Sequence, residues 1–242
     1  MLLYTISYPK INEVTMKHAL IVTSYIDHPE TLPLTALRSL ASEEEVTVIC
    51  ADGGYRNAEA LGIRPDILIG DYDSSARPDP EAVKAAGEDM ILLPKVKDMT
   101  DSEAAIDLAA SRGAERILVL GGLGGRFDHA MGNVGMLAKY CGKSAFSAFL
   151  DGQNLVYMLA PGTYELPRTL LATNYTYLGL IAYAGPVRSL SIRGCKYALD
   201  RHDLTPDTTL GVSNEILGEK ATISFEDGKL LVIHTRDIDK SQ

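Results

Sequence analysis

The sequence predicts an α/β fold in two parts, a parallel sheet covered by helices followed by an antiparallel β-sandwich. Three observations carry that expectation. Between His18 and Leu150 the apolar runs are continuous rather than alternating, with helix-length segments between them, as in strands buried on both faces. After Asp151 the texture changes to short strands broken by Gly, Pro and Asn, with no sustained helical period. With 242 residues, 46% hydrophobic and 23% charged, the chain can bury one large core or two modest ones.

Taken in order, residues 1–15 read as a poorly ordered N-terminal extension or an upstream start. Residues 16–150 read as a Rossmann-like α/β domain whose strands are HALIVTS, EVTVICAD, DILIGD, DMILLP, ERILVLGG and SAFSAFL. Helices are expected in PDPEAVKAAGED, in TDSEAAIDLAASRG and after His129. Residues 151–242 read as a β-rich domain, with strands in NLVYMLAPGTYELP, TYLGLIAYAGPV, SLSIRGCKYAL and KATISFEDGKLLVIHTR; the Asp227-Gly228 pair signals a tight hairpin. A boundary near residue 150 makes the space between the parts a candidate pocket.

Composition narrows the partners. A net charge of −9 and a pI near 5.0 oppose a nonspecific hold on nucleic acid, which needs a basic face. No segment has the length and apolarity of a membrane span, and the N-terminus lacks the pattern of a signal peptide. Cys50, Cys141 and Cys195 are widely spaced and form no CxxC pair, so a reducing cytoplasm is the expected setting.

Three polar clusters fall where strands end, the edge at which open parallel sheets bind ligands. In Gly70-Asp71-Tyr72-Asp73-Ser74, an extended backbone would point both carboxylates toward one hard cation, although a solvated turn with Asp71 and Asp73 capping amides explains the same residues. In Lys97-Asp98-Met99-Thr100-Asp101-Ser102-Glu103, Thr100 and Glu103 form a capping box and Asp101 suits the first helical turn. Capping leaves Asp98 and Asp101 together, behind Lys95 and Lys97, unexplained. Mixed signs at one edge suit a Mg²⁺–polyphosphate complex, with aspartates toward the metal and lysines toward the oxygens. In Gly121-Gly-Leu-Gly-Gly-Arg-Phe-Asp-His129, Gly124 and Gly125 permit close backbone approach and Arg126 offers a planar fork for phosphate. The loop fits neither the Walker A pattern nor GxGxxG; Asp128 can serve as an N-cap and His129 as a structural residue.

Together, ADGG, PDILIGDYDS, DMTDSEAA, GGLGGRFDH and GVSNE, in that order and over about Ala19 to Asp237, resemble the thiamine pyrophosphokinase family. The resemblance implies Mg²⁺-dependent transfer of a pyrophosphoryl group from ATP to the hydroxyl of thiamine, giving thiamine diphosphate and AMP, in a homodimer with active sites at the subunit interface. It implies that Asp71, Asp73 and Asp101 are the acidic metal and catalytic residues, with Asp101 also touching thiamine. It likewise implies that Asp52, Lys97, Thr100, Gly124, Gly125, Arg126 and Asp128 surround the nucleotide phosphates, and that Ser213 and Asn214 border thiamine. Some relatives place a tryptophan against thiamine, whereas this chain has no Trp. Two other readings compete: a Mg²⁺-dependent phosphohydrolase and a non-catalytic nucleotide- or thiamine-binding protein.

Overall fold

The structure is a computed structural model that describes residues 16–73, 77–143 and 145–238, so the expected extension at 1–15 lies outside the described residues. Strands β1 (His18–Val22), β2 (Val46–Ala51), β3 (Ile67–Gly70), β4 (Asp89–Leu92), β5 (Arg116–Leu120) and β6 (Phe146–Leu150) are parallel. The helices between them are α1 (Leu34–Ala41), α2 (Gly54–Leu61), α3 (Pro80–Ala85), α4 (Asp101–Ser111) and α5 (Phe127–Tyr140). Thr100 caps α4, its Oγ1 accepting from the Glu103 amide at 3.1 Å, while the Glu103 carboxylate turns to Lys139.

The sheet does not stop at residue 150. Strand β7 (Asn154–Leu159) turns back antiparallel along β6, and β15 (Leu230–Thr235) and β11 (Tyr177–Ala182) continue it, giving nine strands in the order β11-β15-β7-β6-β5-β1-β2-β3-β4. A second, four-stranded antiparallel sheet joins β8 (Gly162–Pro167), β12 (Val187–Arg193), β13 (Leu199–Leu204) and β14 (Lys220–Phe225). The two-residue strands β9 (Thr169–Leu170) and β10 (Thr173–Asn174) form a small ribbon.

Alternation along the pleat sorts the core. Leu20, Val22, Val48, Leu68 and Leu120 face α1, α2 and α3, and the same face farther along packs on the four-stranded sheet through Leu155, Tyr157, Leu190 and Ile223. Ile21, Ile49, Ile69, Val119 and Phe149 face α4 and α5. Each fully buried side chain of this kind contributes roughly 2–3 kcal/mol. The sandwich is therefore made of the antiparallel limb of the large sheet and the small sheet together.

One local expectation is corrected. The Glu226-Asp227-Gly228-Lys229 turn does not close a hairpin, because β14 belongs to the small sheet and β15 to the large one. Gly228 does take a left-handed φ of +96°, and a Cβ there would lie 2.4 Å from the Pro186 carbonyl oxygen. The turn passes tightly over Pro186–Arg188 while crossing between sheets, a choice made by packing rather than by the dipeptide.

Candidate active site

The ends of β2 and β3 are drawn together by a missing side chain. A Cβ on Gly70 would sit 3.0 Å from Asp52 Cα, and the Asp52 amide donates to the Ile69 carbonyl at 2.8 Å. Asp52 leaves β2 with φ +48°, a left-handed turn that few non-glycine residues adopt. Asp71 leaves β3 beside it, and Asp101 opens α4. Carboxylate oxygens of Asp52, Asp71 and Asp101 lie within 4.8 Å of one another, the one such group among the described residues.

The charge between them is Lys97. Its ammonium pairs with Asp71 and lies 3.2 Å from Asp101 Oδ1; the Lys97 and Asp71 side chains are only 8% and 5% exposed. Burial pushes the Asp71 carboxyl up, but the Lys97 ammonium and the Asp73 amide outweigh it and hold the group below the usual carboxylate range. For Asp101 burial wins: Lys97 offsets it only in part, neighbouring Asp71 and Asp52 add to it, and the carboxyl lies above its ordinary value. Burial would depress Lys97, yet Asp71 and Asp101 together raise it. Three carboxylates about one ammonium leave an excess of hard oxygen donors, a set that fits Mg²⁺.

Asp73 stands apart. Tyr72 has φ +53°, so the segment is not extended and the rule that places i and i+2 on one side does not apply. Asp73 is exposed, and its amide donates to Asp71 Oδ1 at 3.2 Å. The acid meeting Asp71 and Asp101 is Asp52, which the sequence reading assigned to the phosphates. A signal for it was present: Asp52 ends a strand parallel to the one that Asp71 ends, so neighbouring strand ends imply neighbouring acids. Lys95 and Asp98 are exposed.

At the same edge, the glycine loop follows β5. Its glycines answer first to packing: a Cβ on Gly121 would lie 2.1 Å from the Tyr25 carbonyl oxygen, and one on Gly124 2.9 Å from the Tyr25 ring. Gly125, with φ +73°, and Arg126 are exposed. Arg126, rather than Asp128, occupies the N-cap of α5. Asp128 accepts from the Arg126 guanidinium at 2.7 Å and from the His129 amide at 3.0 Å, and chiefly the guanidinium lowers its carboxyl to about 2. His129 is exposed.

The Gly211–Glu215 segment lies elsewhere. It runs along β11, exchanging Leu178–Asn214 backbone bonds of 2.8 and 3.0 Å, and Gly211 approaches so closely that a Cβ would lie 2.0 Å from the Leu180 carbonyl oxygen. Asn214 is 3% exposed; its Oδ1 accepts from the amides of Tyr197 and Glu215 at 3.0 and 2.9 Å, and its Nδ2 donates to the Tyr197 carbonyl at 2.8 Å. The amide is thus taken up in holding the backbone of Tyr197, a residue 57% exposed. Ser213 is exposed at φ +58°. Because β11 and β3 are seven strand spacings apart, Ser213 and the acid cluster of one chain are separated by roughly 30 Å. The fold brings Asp52, Asp71, Lys97 and Asp101 together, sets Thr100 and the Gly124–Asp128 loop on their edge, and leaves Ser213 and Asn214 far away. Tyr197, which the sequence reading did not single out, is exposed beside this segment.

Comparison with known proteins supports this division. Residues 38–150 match the thiamin pyrophosphokinase catalytic domain, and residues 164–230 match the thiamin pyrophosphokinase vitamin B1 binding domain. The chain is 30% identical over 196 residues to thiamine pyrophosphokinase of Bacillus subtilis (strain 168), spanning 81% of this chain and 90% of that protein. The crystal structure of the Bacillus subtilis thiamine pyrophosphokinase matches with a TM-score of 0.77 at 28% identity, covering 91% of this chain and 100% of that one. Thiamin pyrophosphokinase from Geobacillus thermodenitrificans matches with a TM-score of 0.74 at 31% identity, covering 91% and 98%. With both halves matched, in order and on one fold, the chain belongs to the thiamine pyrophosphokinase family.

Proposed function

We propose that this protein transfers the pyrophosphoryl group of ATP to the hydroxyl of thiamine, releasing AMP. The observation that carries the reading is the convergence of Asp52, Asp71 and Asp101 about Lys97, on the sheet edge that also bears Gly124–Arg126. Asp52, Asp71 and Asp101 would hold Mg²⁺, which when bound supplies neutralisation of triphosphate charge. Lys97 and the Arg126 guanidinium meet phosphate oxygens, and Thr100 keeps the start of α4, and with it Asp101, in place. Asp101 orients the thiamine hydroxyl and accepts its proton as the new O–P bond forms at the β-phosphorus; the bridge to the α-phosphate breaks and AMP leaves with that oxygen. Tyr197, held by Asn214, provides the flat surface that a chain without Trp must find elsewhere, with Ser213 beside it.

A separation of roughly 30 Å between these two sets supports a homodimer in which each site takes its acids from one subunit and its Tyr197–Ser213 surface from the other. Three free cysteines, two of them buried, suit a reducing cytoplasm. No described helix is long and apolar enough to cross a membrane.

Incubating the purified chain with ATP, Mg²⁺ and thiamine tests the reaction: AMP and thiamine diphosphate should form together, and both should cease when the divalent cation is chelated. ADP as the main product, or AMP release indifferent to thiamine, would defeat the reading. For the shared site, Asp101→Asn and Ser213→Arg should each inactivate alone, yet recover about a quarter of wild-type activity after random subunit exchange. Sites built within one chain would show no recovery.

A further inference from the structure

The large sheet changes direction of growth between β1 and β5: β2, β3 and β4 follow on one side of β1, while β5 and β6 lie on the other. In open parallel sheets, ligands sit outside the carboxyl ends at such a reversal. Three loops, those after β1, β5 and β6, meet there and are locked together. The Thr23 amide and hydroxyl donate to the Leu120 carbonyl at 3.1 and 2.9 Å, the Gly122 amide to the Tyr25 carbonyl at 3.1 Å, and the Gly152 amide to the Asp27 carbonyl at 2.9 Å. Asn57 Nδ2 donates to the Thr23 carbonyl at 2.8 Å, tying in α2 as well.

What this platform displays is an aromatic ring. Tyr25 lies along Gly124 and Gly125, its ring carbons 3.4 Å from where a Gly125 Cβ would be, yet the residue is 49% exposed. Its hydroxyl points to Asp27 Oδ1 at 3.4 Å, and the half-buried Asp27 carboxylate stands against Gly124. An oriented ring beside a carboxylate is a poor seat for phosphate, which the carboxylate repels, and a good one for a nucleoside, an uncharged flat base joined to a sugar with hydroxyl donors. The cationic fork of Arg126, here paired with Asp128, follows one residue beyond Gly125 on the sheet edge that also bears the acid cluster.

We propose that Tyr25 and Asp27 form the nucleoside subsite. The base stacks on the Tyr25 ring, Asp27 accepts hydrogen bonds from the ribose hydroxyls, and the phosphates pass Gly125 and Arg126 toward Lys97 and the carboxylates. This rests on the reading that the chain uses ATP, and it names the residues that distinguish a nucleotide from a bare polyphosphate.

Equilibrium binding with Mg²⁺ and without thiamine tests it, using ATP, 2′,3′-dideoxy-ATP and inorganic tripolyphosphate on the full chain. Tyr25→Ala should weaken ATP at least about tenfold, within the range of base–aromatic stacking, and leave tripolyphosphate unchanged, while Tyr25→Phe keeps ATP within about threefold. Asp27→Ala should weaken ATP but not the dideoxy nucleotide. Unchanged ATP affinity in Tyr25→Ala overturns the proposal, as does an equal loss for tripolyphosphate, which would make the ring a prop for the loop. A shift in oligomeric state with ATP affinity intact would assign Tyr25 to a subunit contact and also overturn it. Should the wild type bind in the predicted pattern but form no AMP with thiamine, the subsite stands and the transfer reaction falls.

Discussion

At the carboxyl ends of β2 and β3 the chain gathers Asp52, Asp71 and Asp101 around one lysine and holds the backbone left-handed at Asp52 and Tyr72. Along β11, at the opposite edge of the same sheet, it does the reverse: Asn214 is buried and fully engaged, while Tyr197, Leu210, Val212 and Leu217 are exposed. The first edge packs three carboxylates with one buried ammonium; the second ties its buried amide to backbone and exposes aromatic and aliphatic side chains. One sheet therefore carries a cluster of charge and an exposed set of aromatic and aliphatic side chains, and the strands between them hold the two far apart.

That contrast can be broken at each end. The largest effect belongs to the acids. Asp71→Asn and Asp101→Asn should each lower turnover at least about 10²-fold, roughly 2.7 kcal/mol of transition-state stabilisation, with the fold retained. Asp52→Asn should do the same, whereas Asp73→Asn should stay within about threefold. Steady-state rates with thermal melts decide this; a severe loss at Asp73 with none at Asp52 would restore the ligand set read from the sequence.

Next comes acid stability of the antiparallel limb. His234 is 1% exposed, bonded to the Tyr157 hydroxyl at 3.0 Å, and burial lowers it to about 4. A folded value below the unfolded one means the unfolded chain binds more protons between about pH 6.5 and 4. Stability is thus full above that window and falls as the pH drops through it. By pH 5 the cost should reach roughly 2 kcal/mol relative to pH 8. Urea titrations of the wild type and of His234→Gln should differ by about that amount in their change from pH 8 to pH 5; parallel behaviour would remove His234 as the cause.

A smaller effect sharpens the flat edge. Tyr197→Ala should raise KM for thiamine about tenfold and leave KM for ATP unchanged. Asn214→Ala should follow in the same direction through loss of the Tyr197 tether. Equal effects on both substrates would mean that the two edges are not separate in function.

Much of this was legible in the chain. Continuous apolar runs ending in Asp52, Asp71 and Gly121 determined parallel strands with polar carboxyl ends, because burial on both faces leaves only the strand ends free for charge. Thr100 with Glu103 determined where α4 begins, since an N-cap acts over three residues. The motif order carried the family. Tertiary structure decided the rest. Asp52 joins Asp71 because Gly70 lets two strand ends close to van der Waals distance, a contact between residues distant in sequence. Asp73 lies exposed and outside that cluster, with a left-handed φ at Tyr72 before it, which no alternation rule foresees. The strands after residue 150 extend the first sheet because their apolar faces are covered there by the small sheet, and a strand's own pattern names the face it buries but not the neighbour it pairs with.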